Sequence, residues 1–133
     1  MTSSPTPLHL QTRTIHAGQS PEPHTGAVMT PTFQTSTYAQ ETPGGNKWAY
    51  GRTNNPTRTA LQDCLGALEE GKHGLVYGSG VAAIDAVIRL LSAGDTVVCG
   101  DDIYGGTYRL FMQEWADRGV IFQFVDTTTA AVE

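Results

Sequence analysis

The chain has 133 residues, which is room for one modest domain with a hydrophobic core of its own. Hydrophobic residues make up 39% of it and charged residues 16%, which is the composition of a globular protein, and the formal net charge is −5. Eight Lys and Arg against thirteen Asp and Glu leave no basic surface for a nucleic acid, so we expect no nucleic-acid partner. No apolar run approaches the roughly 20 residues that span a bilayer, so we expect no membrane partner.

The amino terminus and the metal-binding residue types add two more exclusions. The residues after Met1, TSSPTPLHLQ, contain neither the basic start nor the apolar block of a targeting segment, so we expect a cytoplasmic protein. Cys64 and Cys99 form no zinc spacing and no disulfide framework, and the four histidines lack the spacing of metal ligands. No metal site is expected.

Residues 1–54 are predicted to form an extended arm. Six of the seven prolines precede Trp48, so helix is disfavoured over residues 1–47. The stretch VMTPTFQTSTYAQ can hold a short extended piece, which the flexible turn at Gly44, Gly45 and Asn46 then ends. Because such an arm has little surface of its own chain to pack on, we expect it to dock on a neighbouring subunit.

Regular elements are predicted from residue 55 onward. Asn55 as N-cap and Pro56 as first helical residue start a helix that runs to Glu70, where Gly71 supplies the stop. The pattern then alternates between strands at residues 74–77, 96–99 and 120–125 and helices at residues 81–91 and 107–118. A β-α-β-α-β order predicts a parallel sheet covered by helices.

The last residues indicate an unfinished domain. Asp126 followed by TTTAAVE is typical of a cap and a first helical turn. Three parallel strands would leave a sheet edge open to a further strand. We therefore expect the chain to be a piece of a larger domain.

The stretch YGSGVAAI, residues 77–84, is a candidate anion site. A strand passes through Gly78, Ser79 and Gly80 directly into a helix, where open backbone N–H groups and the helix dipole favour a phosphate. The same letters fit the dinucleotide pattern G-x-G-x-x-A through Ala83, so a nicotinamide cofactor is an alternative. A third interpretation is that the glycines merely form a tight turn.

The stretch DDIYGGTYRLF, residues 101–111, follows the next strand. Ligands of an open parallel sheet bind outside the carboxyl ends of its strands, so this loop and the GSG loop should flank one crevice. Gly105 and Gly106 would allow the ring of Tyr104 to lie flat against a planar ligand. The alternative is that Tyr104 is a core aromatic residue with its hydroxyl at the surface.

The stretch WAYGRTNNPT, residues 48–57, places a phenol and a guanidinium close together. In an extended segment Tyr50 and Arg52 point the same way, and they supply a hydroxyl donor and a planar fork suited to a phosphate. The alternative is that Arg52 is an ordinary surface arginine.

Taken together, YGRTNNPT, YGSGVAAI and DDIYGGTYRLF resemble the PLP-dependent trans-sulfuration enzymes, which include cystathionine γ-synthase, γ-lyase and β-lyase. The likeness runs from about Thr14, in TIHAGQ, to the last residues. It implies an α/β fold, the fold-type I PLP-dependent transferase, with an amino-terminal arm at residues 1–54 and the first part of the parallel-sheet cofactor domain at residues 55–133. It also implies a homotetramer of two catalytic dimers.

The resemblance implies roles for single residues. Tyr50 and Arg52 would cross into the neighbouring subunit and hold the PLP phosphate, which Ser79, Gly80 and Val81 would hold from the home subunit. Tyr104 would stack on the pyridine ring and take part in catalysis. The implied reaction is elimination or replacement at the γ carbon of a sulfur amino acid, with cystathionine or a homoserine ester as the substrate, in methionine and cysteine metabolism.

The chain lacks three groups of the family pattern, namely the Schiff-base lysine, the aspartate that pairs with the pyridine nitrogen and the arginine that binds the substrate carboxylate. Its two lysines are Lys47 and Lys72, and neither lies in the Ser-x-Thr-Lys context of the family's Schiff-base lysine. We therefore expect the 133 residues alone to be inactive. Two functions of other classes remain open beside the trans-sulfuration enzyme, a fragment of a nicotinamide-dependent oxidoreductase and a non-catalytic assembly module.

Overall fold

The computed structural model of the chain describes residues 9–129, which form two compact units, one up to Val76 and one from Tyr77 onward. The first unit holds helices α1 (Leu10–His16) and α2 (Pro56–Leu68). The second holds helix α3 (Gly80–Ile88), strand β1 (Thr96–Gly100), helix α4 (Gly105–Leu110) and strand β2 (Ile121–Val125). Within residues 9–129 no helix has both the length and the apolar character needed to cross a membrane.

Helix α1 corrects the prediction that helix is disfavoured over residues 1–47. Arg13 of α1 donates hydrogen bonds to the carbonyl oxygens of Ala67 and Leu68 at the end of α2, and it pairs with Glu70 at 2.9 Å. Carbonyls in the last helical turn lack intrahelical donors and attract cations. The tertiary contact therefore stabilises a seven-residue helix that propensity alone would not.

Helix α2 begins as predicted and ends earlier. The Asn55 side chain accepts a hydrogen bond from the Thr57 backbone N–H at 2.8 Å, and Pro56 is the first helical residue. The helix ends at Leu68, and the left-handed residue beyond it is Glu70, with φ 56°. The Gly71 N–H donates to the Gly66 carbonyl at 2.8 Å, which is the Schellman arrangement. The prediction that Gly71 supplies the stop is wrong by one residue.

The arm packs on α2 of its own chain, which corrects the expectation that it has little to pack on. Gly18, with φ +66°, lies so close to the α2 backbone that a Cβ there would be 2.7 Å from the Cys64 nitrogen. Further along, Thr57 accepts a hydrogen bond from the Phe33 N–H at 2.8 Å, and Asn55 donates to the Phe33 carbonyl at 3.1 Å. Docking of the arm on a neighbouring subunit stays a prediction.

The predicted extended piece and turn are confirmed as a small antiparallel ladder. Thr37 and Tyr50 form an antiparallel bridge, and the Tyr38 N–H donates to the Ala49 carbonyl at 3.1 Å. Gly44 adopts φ +75° in the turn that joins the two sides. The ladder places Tyr50 at a fixed backbone position.

In the second unit β1 and β2 pair in parallel, in the register Thr96↔Ile121 to Gly100↔Val125, so the predicted parallel pairing is confirmed. The strand predicted at residues 74–77 is wrong, because the sheet formed by residues 9–129 has only β1 and β2 and offers no ladder to that segment. Asp126 accepts a hydrogen bond from the Thr128 N–H at 2.9 Å, and residues 130–133 of the predicted helical turn lie outside the described residues.

The predicted helix at residues 107–118 is two segments. Helix α4 runs directly into a π-helical turn at Phe111–Trp115, in which the Ala116 N–H donates to the Phe111 carbonyl at 2.8 Å. The turn directs Phe111 and Trp115 into the core. The helix predicted at residues 81–91 begins one residue earlier and ends at Ile88.

The core of the second unit lies between these helices and one face of the sheet. Its buried residues are Ile88, Phe111, Trp115 and Val120. Phe111 stacks on Phe122 of β2 with ring centroids 4.4 Å apart. This packing fixes α3 and α4 near the strands, and the loops that follow β1 and precede α3 carry the candidate site.

Candidate functional site

The start of α3 presents two backbone donors. The Ser79 side chain accepts a hydrogen bond from the Ala82 N–H at 3.2 Å, and the Ser79 carbonyl accepts one from the Ala83 N–H at 3.1 Å. The N–H groups of Gly80 and Val81 lie in the first turn and have no acceptor within the helix. Open N–H groups and the positive end of the helix dipole favour an anion at this position.

Glycine at this turn leaves open space rather than relieving strain. Within residues 9–129, a Cβ at Gly78 or at Gly80 would meet nothing within 4 Å, and neither residue has a φ in the left-handed region. The chain's own packing therefore does not require glycine at either position. No side chain covers the main chain at these glycines, which suits a group from outside the chain that approaches the N–H donors closely. This observation disfavours the interpretation that the glycines only form a tight turn.

The Ser79 hydroxyl has bonding capacity to spare. It accepts one hydrogen bond, from the Ala82 N–H, and a hydroxyl also carries a proton to donate. An anion in front of Gly80 and Val81 can therefore receive a third hydrogen bond from Ser79.

Tyr50 and Arg52 come together through a turn and not through an extended segment. The Tyr50 carbonyl accepts hydrogen bonds from the N–H groups of Thr53 at 3.0 Å and Asn54 at 2.9 Å, so the chain bends at Tyr50. The expectation that this segment is extended, with strand-like alternation, is wrong, but the side chains of Tyr50 and Arg52 do lie close together. The Arg52 guanidinium lies 3.4 Å from the Tyr50 hydroxyl and 5.0 Å from the centre of its ring.

Arg58 holds this turn in place, and sequence reasoning missed it. Its guanidinium donates to the carbonyl oxygens of Arg52, at 3.2 Å, and Thr53. A planar fork can bridge two neighbouring carbonyls. The signal in the sequence, an arginine in the first turn of a helix, is too common to have pointed to this role.

Tyr104 is exposed at the carboxyl end of β1. Its side chain is 71% exposed, which contradicts the alternative of a core aromatic residue. Its carbonyl accepts hydrogen bonds from the N–H groups of Thr107 at 2.9 Å and Tyr108 at 3.1 Å, so its backbone is fixed at the start of α4. The ring is available to a planar ligand.

Asp85 anchors α3 from its other side and was also missed. The Trp115 indole N–H donates to Asp85 at 2.9 Å, and Arg89 donates to it at 2.8 Å. These bonds, first that from Trp115 and then that from Arg89, hold the pKa of the Asp85 carboxyl below its usual range. The spacing of Asp85 and Arg89 signals a helical ion pair, but nothing in the sequence signals Trp115.

The predicted residues form two groups. Tyr50 and Arg52 belong to the first unit, and Ser79, Gly80, Val81 and Tyr104 to the second. A cavity of about 500 Å³ in the first unit contains none of them. Its charged lining consists of the carboxylates of Glu22 and Asp63 and the ammonium of Lys47. In the part of the chain that the structure describes, no cluster of His, Cys, Asp and Glu could hold a metal ion.

Comparison with known proteins finds a matching family model and similar enzymes. A family model described as Cys/Met metabolism PLP-dependent enzyme matches residues 11–132. A probable cystathionine gamma-synthase from Herpetosiphon aurantiacus is 58% identical over 86% of this chain and 36% of its own length. A cystathionine beta-lyase from Coxiella burnetii is 51% identical over 90% of this chain and 32% of its own length.

The fold agrees with a solved structure. The cystathionine gamma-lyase of Lactobacillus plantarum, complexed with L-serine, has a TM-score of 0.79 and 42% identity over 90% of this chain and 32% of its own. The predicted fold class, α/β of the fold-type I PLP-dependent transferases, is confirmed. The chain spans about a third of the length of the relatives it matches.

Proposed function

The chain belongs to the family of Cys/Met metabolism PLP-dependent enzymes, and from this membership we propose that the whole protein is a PLP-dependent trans-sulfuration enzyme. We assign it elimination or replacement at the γ carbon of a sulfur amino acid such as cystathionine or a homoserine ester. The 58% identical relative named as a probable cystathionine gamma-synthase favours the γ carbon, and the 51% identical relative named as a cystathionine beta-lyase makes elimination at the β carbon the second candidate. A cytoplasmic location goes with this metabolic role.

The observation that carries the proposal is the open start of α3. PLP has a phosphate and a planar ring, and the residues present fit both parts. The backbone N–H groups of Gly80 and Val81 and the hydroxyl of Ser79 suit the phosphate, and no side chain at Gly78 or Gly80 blocks it. The exposed ring of Tyr104 suits the planar ring.

Tyr50 and Arg52 complete the phosphate site in the proposal. The Arg52 guanidinium offers two parallel N–H donors to the phosphate oxygens, and the Tyr50 hydroxyl beside it offers one more. Arg58 keeps Arg52 in position by holding the turn's carbonyls. We propose that this pair comes from a neighbouring subunit of a homotetramer, through the arm of residues 1–54, while residues 55–133 begin the cofactor domain.

The bound cofactor would supply an electron sink for the negative charge left when the substrate loses its Cα proton. Around it the chain's own residues would hold and orient the cofactor and exclude water. Stacking by the Tyr104 ring would orient the planar ring and remove water from one of its faces. Tyr104 is 71% exposed, and its hydroxyl could exchange a proton with a substrate bound beside the ring.

Neither lysine of the chain suits the covalent attachment of the cofactor. Lys47 lies over the Trp48 ring, with its ammonium 4.7 Å from the ring centre, and Lys72 follows the end of α2. We propose that the lysine lies in the remainder of the protein and that these 133 residues alone are inactive. The nicotinamide alternative loses its basis, because the family match runs through the whole G-x-G-x-x-A stretch.

Titration of the whole protein with PLP and with NAD tests the proposal. We expect PLP to bind in one equivalent per subunit, to raise Tm and to support release of a keto acid from cystathionine or from a homoserine ester, whereas NAD does none of these. Binding of NAD with no effect of PLP would refute the function. Binding of neither cofactor would favour a non-catalytic assembly module.

A further inference from the structure

The first turn of α2 holds both backbone polar groups of Phe33, a residue of the arm. The Phe33 N–H donates to the Thr57 hydroxyl at 2.8 Å, and the Phe33 carbonyl accepts a hydrogen bond from the Asn55 side-chain amide at 3.1 Å. The Thr57 hydroxyl in turn donates to the Pro31 carbonyl at 3.4 Å. Two side chains thus bind the groups that a neighbouring strand would bind in a sheet. We call the side chains of Asn55 and Thr57 the clamp.

The clamped segment leads directly into the ladder that carries Tyr50. Three residues after Phe33, the Ser36 carbonyl accepts a hydrogen bond from the Gly51 N–H at 2.6 Å, and Thr37 bridges Tyr50. A connection of three residues has little slack, so the position of Phe33 limits where the ladder can lie.

The other end of the turn is tied to the same part of α2. Arg58 donates hydrogen bonds to the carbonyl oxygens of Arg52, at 3.2 Å, and Thr53. The segment that carries the two proposed phosphate ligands is therefore held at both ends by side chains of residues 55–58. Loss of the clamp would leave it held at one end.

Capping of the helix does not account for both bonds of Asn55. An N-cap needs one acceptor, which the Asn55 side chain supplies to the Thr57 N–H at 2.8 Å. The side-chain NH₂ group is not needed for the cap, and it is the group that binds Phe33. Serine caps a helix about as well as asparagine does. Asn55→Ser therefore keeps the cap and removes the amide donor of the clamp.

We infer that Asn55 and Thr57 are positioning residues for the phosphate site, because they fix, through Phe33 and the ladder, where Tyr50 and Arg52 lie. The clamp itself follows from hydrogen bonds within the described residues, and its effect on the cofactor rests on the proposed function. Without a clamp bond the turn samples other positions, and PLP binding has to restore the bound one.

The test compares wild type, Asn55→Ser, Thr57→Val and the matched control Thr14→Val in the whole protein. Thr57→Val keeps the shape of the side chain without the hydroxyl. Thr14→Val likewise removes a hydroxyl hydrogen bond, which Thr14 donates to the Gln11 carbonyl at 2.7 Å. In the apoprotein we expect peptides containing residues 49–54 to exchange their amide hydrogens faster in both clamp variants and at the wild-type rate in Thr14→Val. Thr57→Ser keeps the hydroxyl and should exchange as wild type does.

Equilibrium dialysis against PLP gives the second readout. A neutral hydrogen bond corresponds to about 2- to 12-fold in an equilibrium constant, so we expect the Kd for PLP to rise by this factor in both clamp variants. The Kd should stay unchanged in Thr14→Val and Thr57→Ser. In a Tyr50→Phe/Arg52→Ala background, Thr57→Val should have no further effect, because the clamp acts through those two side chains.

The other results decide separate claims. Wild-type exchange of residues 49–54 in either clamp variant overturns the clamp. Faster exchange with an unchanged Kd overturns the positioning role, and so does an equal rise of Kd with and without the Tyr50 and Arg52 substitutions. If Thr57→Val does not fold, Asn55→Ser decides, since it retains the cap. A wild type that binds no PLP refutes the proposed function, while the exchange rates still decide the clamp.

Discussion

Replacement of Arg52 by alanine separates a cofactor ligand from a surface arginine. Arg52 is exposed, and its own side-chain contacts are the 3.4 Å approach to the Tyr50 hydroxyl and the 5.0 Å contact with the Tyr50 ring. Exposed contacts of this kind contribute at most about 1 kcal/mol to folding. Arg52→Ala should therefore leave the Tm of the apoprotein nearly unchanged.

The effect on PLP binding should be larger. A hydrogen bond to a charged group contributes about 1.5 to 3 kcal/mol. At about 1.4 kcal/mol per factor of ten, Arg52→Ala should raise the Kd for PLP roughly 10- to 150-fold. Arg52→Lys keeps the charge without the planar fork and should fall between wild type and alanine.

Equilibrium dialysis of the whole apoprotein against PLP measures this difference. Arg118→Ala is the matched control, because Arg118 is 58% exposed and makes its ion pair, at 3.7 Å, with Glu114 outside the site. We expect Arg118→Ala to bind PLP as wild type does. Equal Kd values for Arg52→Ala and wild type would place Arg52 on an ordinary solvated surface and would refute the two-part phosphate site.

Three further predictions concern the scaffold. The bonds from Trp115 and Arg89 lower the pKa of Asp85, so the stabilisation they provide is present above the usual Asp pKa of about 3.9 and is lost as the pH falls through the folded-state pKa. Asp85→Asn should remove this part of the acid unfolding transition, and an acid transition that is unchanged in Trp fluorescence would contradict the prediction. The free energy of unfolding from urea denaturation should be about 1 kcal/mol higher for Glu70→Gly than for Glu70→Ala, because both variants lose the Arg13 ion pair and only alanine is strained at φ 56°. The reverse order would be inconsistent with the Schellman end of α2. Gly18→Ala should lower the free energy of unfolding by about 1 to 3 kcal/mol more than Gly26→Ala, because both glycines have a left-handed φ but only Gly18 lies against the α2 backbone. Equal losses of Tm in the two variants would argue against that contact.

Elements with local signals could be predicted from the sequence. The start of α2 follows from Asn55 and Pro56, and the parallel pair β1 and β2 follows from alternating patterns with a helical crossover. Contacts between distant residues gave no local signal. Helix α1 depends on Arg13 reaching residues more than fifty positions away, so its composition alone predicted an extended arm.

The candidate site shows the same division. The open N–H groups at Gly80 and Val81 follow from a glycine-rich turn before a helix, which is a local pattern. Tyr50 and Arg52 were paired on a wrong premise, since the hydrogen bonds from Thr53 and Asn54 bend the chain there. Arg58 and its bonds to the turn depend on how α2 begins beside it, which no spacing rule describes.

A crystal structure of the whole protein with PLP bound would show directly where the cofactor phosphate is held. We expect the phosphate at the start of α3, within hydrogen-bond distance of the N–H groups of Gly80 and Val81, with the Arg52 guanidinium and the Tyr50 hydroxyl on its other side. A phosphate held elsewhere, with the start of α3 facing only solvent, would contradict it.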